Sequence, residues 1–167
     1  FEYCGALEKI NIPDGITTIE SETFMRCSSL KSINIPDSVK SIKESAFECC
    51  RALKKFVIPD SVSIIEAGAF FECHFEEMTI GKNVKIDFWI RDEIAPEDFE
   101  RWGCSAETVY LTEGRTEIQD LSSFSGLKKI VLPNSLKRIG KSAFDWCYEL
   151  EEINLPEGLE EIGEGAF

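Results

Sequence analysis

The chain has 167 residues, 31 acids against 18 bases for a net charge of −13, and one histidine, His74. That balance argues against nucleic acid or an anionic membrane as partner, since both recruit basic surface. It also leaves a Ser-His-Asp triad or a multi-histidine metal site only one imidazole to build on. No run of about 18 apolar residues marks a membrane span, and seven cysteines, an odd number, cannot all pair within the chain. The sequence starts at Phe1 without a Met, so targeting is not readable from it.

Internal repetition dominates the chain. Leu7, Leu30 and Leu53 are spaced by 23 residues, as are Leu127 and Leu150. Each opens the same phrase: LEKINIPDGITTI, LKSINIPDSVKSI, LKKFVIPDSVSII, LKKIVLPNSLKRI and LEEINLPEGLEEI. Each phrase runs toward a Phe-x-x-Cys signature, as in TFMRC at 23–27, AFECC at 46–50, AFFEC at 69–73 and AFDWC at 143–147. In one unit, Leu30, Ile33 and Ile35 point inward while Lys31, Ser32 and Asn34 point out, the alternation of a short strand. Pro36 lacks an N–H and ends the ladder, and Pro-Asp-Ser makes a turn. Val39 and Ile42 begin a second extended edge, and Ala46, Phe47 and Cys50 then form a compact turn, read as a short helix or 3₁₀ segment. A single unit cannot bury its apolar side; stacked units bury a continuous core, with their strands pairing in parallel.

The middle of the chain, 75–126, is irregular. Phe75, Met78, Ile80 and Val84 fill the inward slots and Gly81 replaces the proline. Ile94 and Phe99 keep the Ile-to-Phe spacing, with Trp102 in the cysteine slot and an insertion near 85–93. Ala106, Val109, Leu111, Arg115 and Ile118 fit the next unit, although Arg115 is a poor inward residue; Leu121 and Phe124 then take the Phe and Cys slots. APEDFERWG at 95–103 reads as helical, with Pro96 in its first turn and Gly103 at its end. About seven units result, in one domain spanning 1–167 that reads as part of a longer array with flanking repeats or domains.

The pattern Leu-x-x-Ile-x-Ile-Pro-x-Ser-Val-x-x-Ile-x-x-x-Ala-Phe-x-x-Cys resembles the BspA-like leucine-rich repeat family, of the cysteine-ending treponemal type. The resemblance implies a right-handed leucine-rich repeat solenoid. Its parallel β-sheet would line the concave face, with short β, 3₁₀ or helical turns on the convex side. It also implies a secreted or surface-attached parent in host-associated bacteria or protozoa, and links to adhesion known for some members.

Candidate chemistry is sparse. Cys4, Cys27, Cys50, Cys73 and Cys147 share one slot and read as buried packing residues, because stacked Cβ atoms point the same way and suit a disulfide poorly. Cys49 and Cys104 fall outside that column. Cys49 is the candidate exposed thiol, with no base nearby in sequence to activate it. His74 reads as a surface histidine in a turn. The pairs Glu151/Glu152 and Glu160/Glu161 read as solvated outward carboxylates. Asp92, Glu93, Glu97 and Asp98 lack the spacing of a calcium loop. No catalytic, cofactor or metal site is expected, and the chain reads as non-enzymatic.

A binding surface has two candidate homes. Three outward columns follow from the repeat. The first is Glu8, Lys31, Lys54, Glu76, Lys128, Glu151. The second is Lys9, Ser32, Lys55, Glu77, Thr108, Lys129, Glu152. The third, uncharged, is Asn11, Asn34, Val57, Thr79, Tyr110, Val131, Asn154. The insertion segment IDFWI puts Phe88 and Ile90 on one side, and Trp89 on the other with Asp87 and Arg91. For Trp89, interaction and local packing both stand. The residues singled out for partner binding are Trp89, Arg91, Tyr110, Val57, Lys55 and Lys129. The partner would be a protein or glycan, and the alternative is a structural spacer with no ligand of its own.

Overall fold

The computed structural model describes residues 1–66, 68–85, 104–119, 121 and 124–167. The helix expected at 95–103, the acids from Asp92 to Asp98, the slots given to Ile94, Phe99 and Trp102, and the candidates Trp89 and Arg91 lie outside them. In chain order the strands are β1 (Lys9–Asn11), β2 (Thr18–Ile19), β3 (Ser32–Asn34), β4 (Ser41–Ile42), β5 (Lys55–Ile58), β6 (Ile64–Ile65) and β7 (His74–Ile80). There follow β8 (Cys104–Leu111), β9 (Glu117–Ile118), β10 (Phe124–Ser125), β11 (Lys129–Val131), β12 (Arg138–Ile139), β13 (Glu152–Asn154) and β14 (Glu161–Ile162).

The strands stack in parallel, unit upon unit, to make a β-solenoid of about six turns. Along the main face β1 pairs with β3, and β5, β7, β8, β11 and β13 form one continuous ladder. The two-residue strands β2-β4-β6 and β9-β12-β14 form a second face in two sheets, while β10 pairs with β8 of the main sheet. Period two decides which side chains enter the core. In β5, Phe56 and Ile58 are buried while Lys55 and Val57 face out. Phe75, Met78, Ile80 and Val84 are all buried, as their slots require, and so are Leu121 and Phe124. Gly81 follows β7 where other units carry proline. A Cβ there would sit 2.5 Å from the Pro59 carbonyl oxygen of the unit before, so only glycine lets the two backbones approach.

The Ala-Phe-x-x-Cys segments are turns; none of those described is helical. Alternate N–H groups bond across to the neighbouring unit, and those between bond back three residues, as Glu48 N does to Ser45 O (3.1 Å) and Cys50 N to Phe47 O (3.1 Å). Phe47 N donates to Ala69 O at 2.8 Å and Cys49 N to Phe71 O at 2.7 Å, with Phe24 N to Ala46 O and Phe144 N to Ala166 O in the same register. Left-handed residues at fixed slots, such as Ser45 (φ 53°) and Cys49 (φ 59°), interrupt any helical run.

Inside these turns the phenylalanines form a ladder. Phe1, Phe24, Phe47 and Phe70 stack at centroid spacings of 5.6, 5.2 and 5.6 Å, with ring planes nearly parallel. Such stacking adds to the area each ring removes from water. Next to it runs the cysteine column. Four of its thiols donate to the backbone of the unit before: Cys27 Sγ to Phe1 O (3.2 Å), Cys50 to Phe24 O (3.1 Å), Cys73 to Phe47 O (3.0 Å) and Cys147 to Leu121 O (3.6 Å). Cys104 belongs to this column, contrary to the sequence expectation. It pairs in register with Phe124, and Ser105 pairs with His74, which sets Cys104 beside Cys73. The long fourth unit defeats counting by repeat length, while strand pairing restores the register. No disulfide joins any of the seven cysteines.

Arg115 occupies a slot filled elsewhere by Val39, Val62 and Leu136, and it is only 8% exposed. Its guanidinium donates to Gly81 O and Val84 O, both at 2.8 Å, closing the end of the unit that leads into residues 86–103. Nε is buried without a partner, and burial pulls the guanidinium pKa below its ordinary value.

Candidate functional site

The main sheet presents the three outward columns as the repeat implied. Lys9 pairs with Ser32, Lys55 with Glu77, Glu77 with Thr108, Thr108 with Lys129, and Lys129 with Glu152. Two residues further along each strand, Asn11 pairs with Asn34, Val57 with Thr79, Thr79 with Tyr110, Tyr110 with Val131 and Val131 with Asn154. Glu107 joins the first column. The sequence reading missed it, although it stands one residue after the inward Ala106.

The charged columns neutralise themselves. Lys31 pairs with Glu8 (2.9 Å), Lys55 with Glu77 (2.9 Å), Lys128 with Glu107 (3.3 Å) and Lys129 with Glu152 (2.6 Å). Six lysines and six glutamates occupy the two columns, so this face carries no net charge while the chain as a whole carries −13. The third column is uncharged and wet. Val57 is 59% exposed and Tyr110 36%, with Thr79 between them and the half-buried Val131 beyond. Lys55 and Lys129 flank Tyr110. Glu77 holds the Lys55 ammonium above its ordinary pKa, and Glu152 does the same for Lys129, with a smaller contribution from the Tyr110 hydroxyl in each case. Four of the six residues singled out, Lys55, Val57, Tyr110 and Lys129, therefore share one patch; Trp89 and Arg91 lie outside the described residues.

Elsewhere the surface offers less. His74 is exposed but begins strand β7 rather than lying in a turn, with Nδ1 2.7 Å from Ser105 Oγ. Cys73 beside it is fully buried, so the two side chains diverge. Cys49 Sγ lies 3.4 Å from Glu72 Oε2, a carboxylate 23 residues on that also pairs with Arg51. Burial, and then Glu72, push the Cys49 thiol above its ordinary pKa, the reverse of activation. Glu151, Glu152, Glu160 and Glu161 are exposed as expected. Among the described residues no three histidines, cysteines or acids gather as metal ligands, and no helix is long and apolar enough to cross a membrane. An aromatic pair that sequence reasoning passed over, Trp146 and Tyr148, stands on the turn edge with ring centroids 5.8 Å apart. Its signal was two aromatic residues flanking Cys147.

Comparison with known proteins fits this architecture. The model of the BspA type leucine rich repeat region matches in six copies over residues 1–90 and 117–167. A leucine-rich repeat protein from Bacteroides ovatus is 26% identical over 98% of this chain, with a TM-score of 0.53. One from Eubacterium ventriosum is 24% identical over 96%, with a TM-score of 0.65, and the T. pallidum leucine rich repeat protein is 25% identical over 90%, with a TM-score of 0.59. The chain spans 47%, 42% and 68% of those proteins respectively. No curated protein matches it. With its repeats matched over most of its length, the chain belongs to the BspA-type leucine-rich repeat family.

Proposed function

We propose that this chain is a non-enzymatic interaction module that binds a protein partner through the main sheet, with the third column as its centre. One observation carries the reading: Val57, Thr79, Tyr110 and Val131 lie side by side on four hydrogen-bonded strands. They are exposed or half-exposed, uncharged, and bordered by lysine–glutamate pairs that cancel. An aromatic ring amid aliphatic side chains with a polar rim has the composition of an interface centre. Glycan stacking on Tyr110 is the other ligand chemistry this patch suits. Family membership supports a secreted or cell-surface setting, possession of flanking repeats, and adhesion as the broader role.

A spacer reading also has an observation behind it. Ion pairs and thiol hydrogen bonds fasten neighbouring units at several of their junctions, as a stiff rod requires. The test is a binding screen of this chain against extracellular matrix proteins and an immobilised glycan panel. Wild type runs beside Val57→Asp/Tyr110→Ala, with circular dichroism confirming the fold. Loss of binding in the variant supports the module. Equal binding by both proteins moves the site off this column, and no binding by wild type favours the spacer.

A further inference from the structure

The charges of the last two units are segregated to a degree that solubility does not require. Residues 127–149 contain five bases and two acids, Asp145 and Glu149, and residues 150–167 contain six acids and no base. The apolar template of the two is the same, LKKIVLPNSLKRI against LEEINLPEGLEEI. Each of the five bases, Lys128, Lys129, Lys137, Arg138 and Lys141, has a glutamate 23 residues on. In the fold this becomes contact. Lys129 pairs with Glu152 (2.6 Å), Lys137 with Glu160 (3.0 Å) and Lys141 with Glu164 (3.0 Å). The other two bases reach the opposite way, Lys128 to Glu107 (3.3 Å) and Arg138 to Glu117 (3.2 Å), though Arg138 is also in register with Glu161. The basic unit is thus a cationic layer between two anionic ones.

The same logic holds along the chain. Taking each unit from its leading Leu slot, the ion pairs formed among the described residues join neighbouring units: Lys43 to Glu66, Arg51 to Glu72 and Lys82 to Asp60 as well as those above. A repeat array has a degeneracy that a globular core lacks. Every unit offers its neighbour the same Leu, Ile, Phe and Cys slots, so apolar packing alone does not say which unit belongs on which. Charge removes that degeneracy, because like units repel and unlike units attract.

We propose that the alternating charges of these last units are a stacking code: they specify that 150–167 docks on 127–149, and they oppose either unit docking on a copy of itself. The code acts by selection among stacked arrangements of nearly equal apolar burial, so its signature is specificity and local order more than total stability.

The experiment is a charge swap in this chain. Glu152→Lys/Glu160→Lys/Glu164→Lys places lysines against Lys129, Lys137 and Lys141. Adding Lys129→Glu/Lys137→Glu/Lys141→Glu restores opposite signs with the order reversed. Amide hydrogen exchange reads each unit separately. The triple variant should exchange about tenfold faster across 150–167 at low salt, with 30–66 unchanged, and the sixfold variant should return to within about threefold of wild type. Exchange at the wild-type rate in the triple variant overturns the proposal, and so does failure of the compensating set to restore protection. If the triple variant does not fold, Glu164→Lys alone and then with Lys141→Glu asks the same question at one exposed pair: the first should exchange faster across 150–167 and the second should return toward wild type, and failure of either overturns the proposal.

Discussion

Cys50 fills an apolar slot and also satisfies a carbonyl. Its thiol is fully buried and donates to Phe24 O at 3.1 Å, and Cys27 and Cys73 repeat the arrangement one unit either side. Alanine in its place would leave a small void and an unpaired buried oxygen, for a loss of about 1–3 kcal/mol. Urea unfolding of Cys50→Ala should show that loss, with the wild-type midpoint the same with and without reductant. A wild-type midpoint that falls on adding reductant would instead show a disulfide. The choice of a small apolar residue at this slot was legible in the repeat; the thiol's second role was not, because it depends on an oxygen 26 residues earlier. Cys104 was misread for a related reason. Its membership of the column comes from strand pairing across a unit of unusual length; the local trace was that Cys104 precedes Ala106 by two residues, as Cys73 precedes Phe75.

At the level of the element, the strands were legible and the turns were not. The outward columns could be written down from period two and the 23-residue spacing, and the paired residues of β5, β7, β8, β11 and β13 confirm them. An Ala-Phe-x-x-Cys segment, by contrast, places apolar residues four apart much as a helix would. What keeps it from continuing as a helix is that every second amide bonds to the next unit and that Ser45, Cys49, Glu72 and Trp146 are left-handed. Gly81 tests how tightly these units approach. With a Cβ 2.5 Å from Pro59 O and the obstruction on backbone, Gly81→Ala must push the third and fourth units apart. The expected cost is about 1–3 kcal/mol, with faster amide exchange in β5 and β7. A variant as stable as wild type would mean that the two units yield without cost.

The whole molecule is a stack of interfaces, and its pH response should report two kinds of bond between units. On the acid side, Lys43 lowers the Glu66 pKa, Arg51 lowers that of Glu72, and the Thr112 hydroxyl leads in lowering that of Asp60. A carboxylate whose pKa is lower folded than unfolded contributes stability that is present above its unfolded value and lost as pH falls through the folded one. On the alkaline side the sign reverses. Burial raises the Cys50 thiol from 9.0 to about 12 and also raises Cys73, so the unfolded chain releases those protons first and stability declines as pH climbs above 9.0. Thermal midpoints should therefore hold a plateau between about pH 5 and 9 and fall on both sides. The two edges should differ in their response to salt. The acid edge rests on partly exposed ion pairs, which about 0.5 M NaCl screens, so added salt should flatten it. The alkaline edge rests largely on desolvated thiols, and ionic strength should leave that contribution in place. Midpoints recorded across pH at low and high salt decide the matter. A profile flat down to pH 3, or an acid edge indifferent to salt, would mean that the ion pairs between units contribute little to holding the solenoid together.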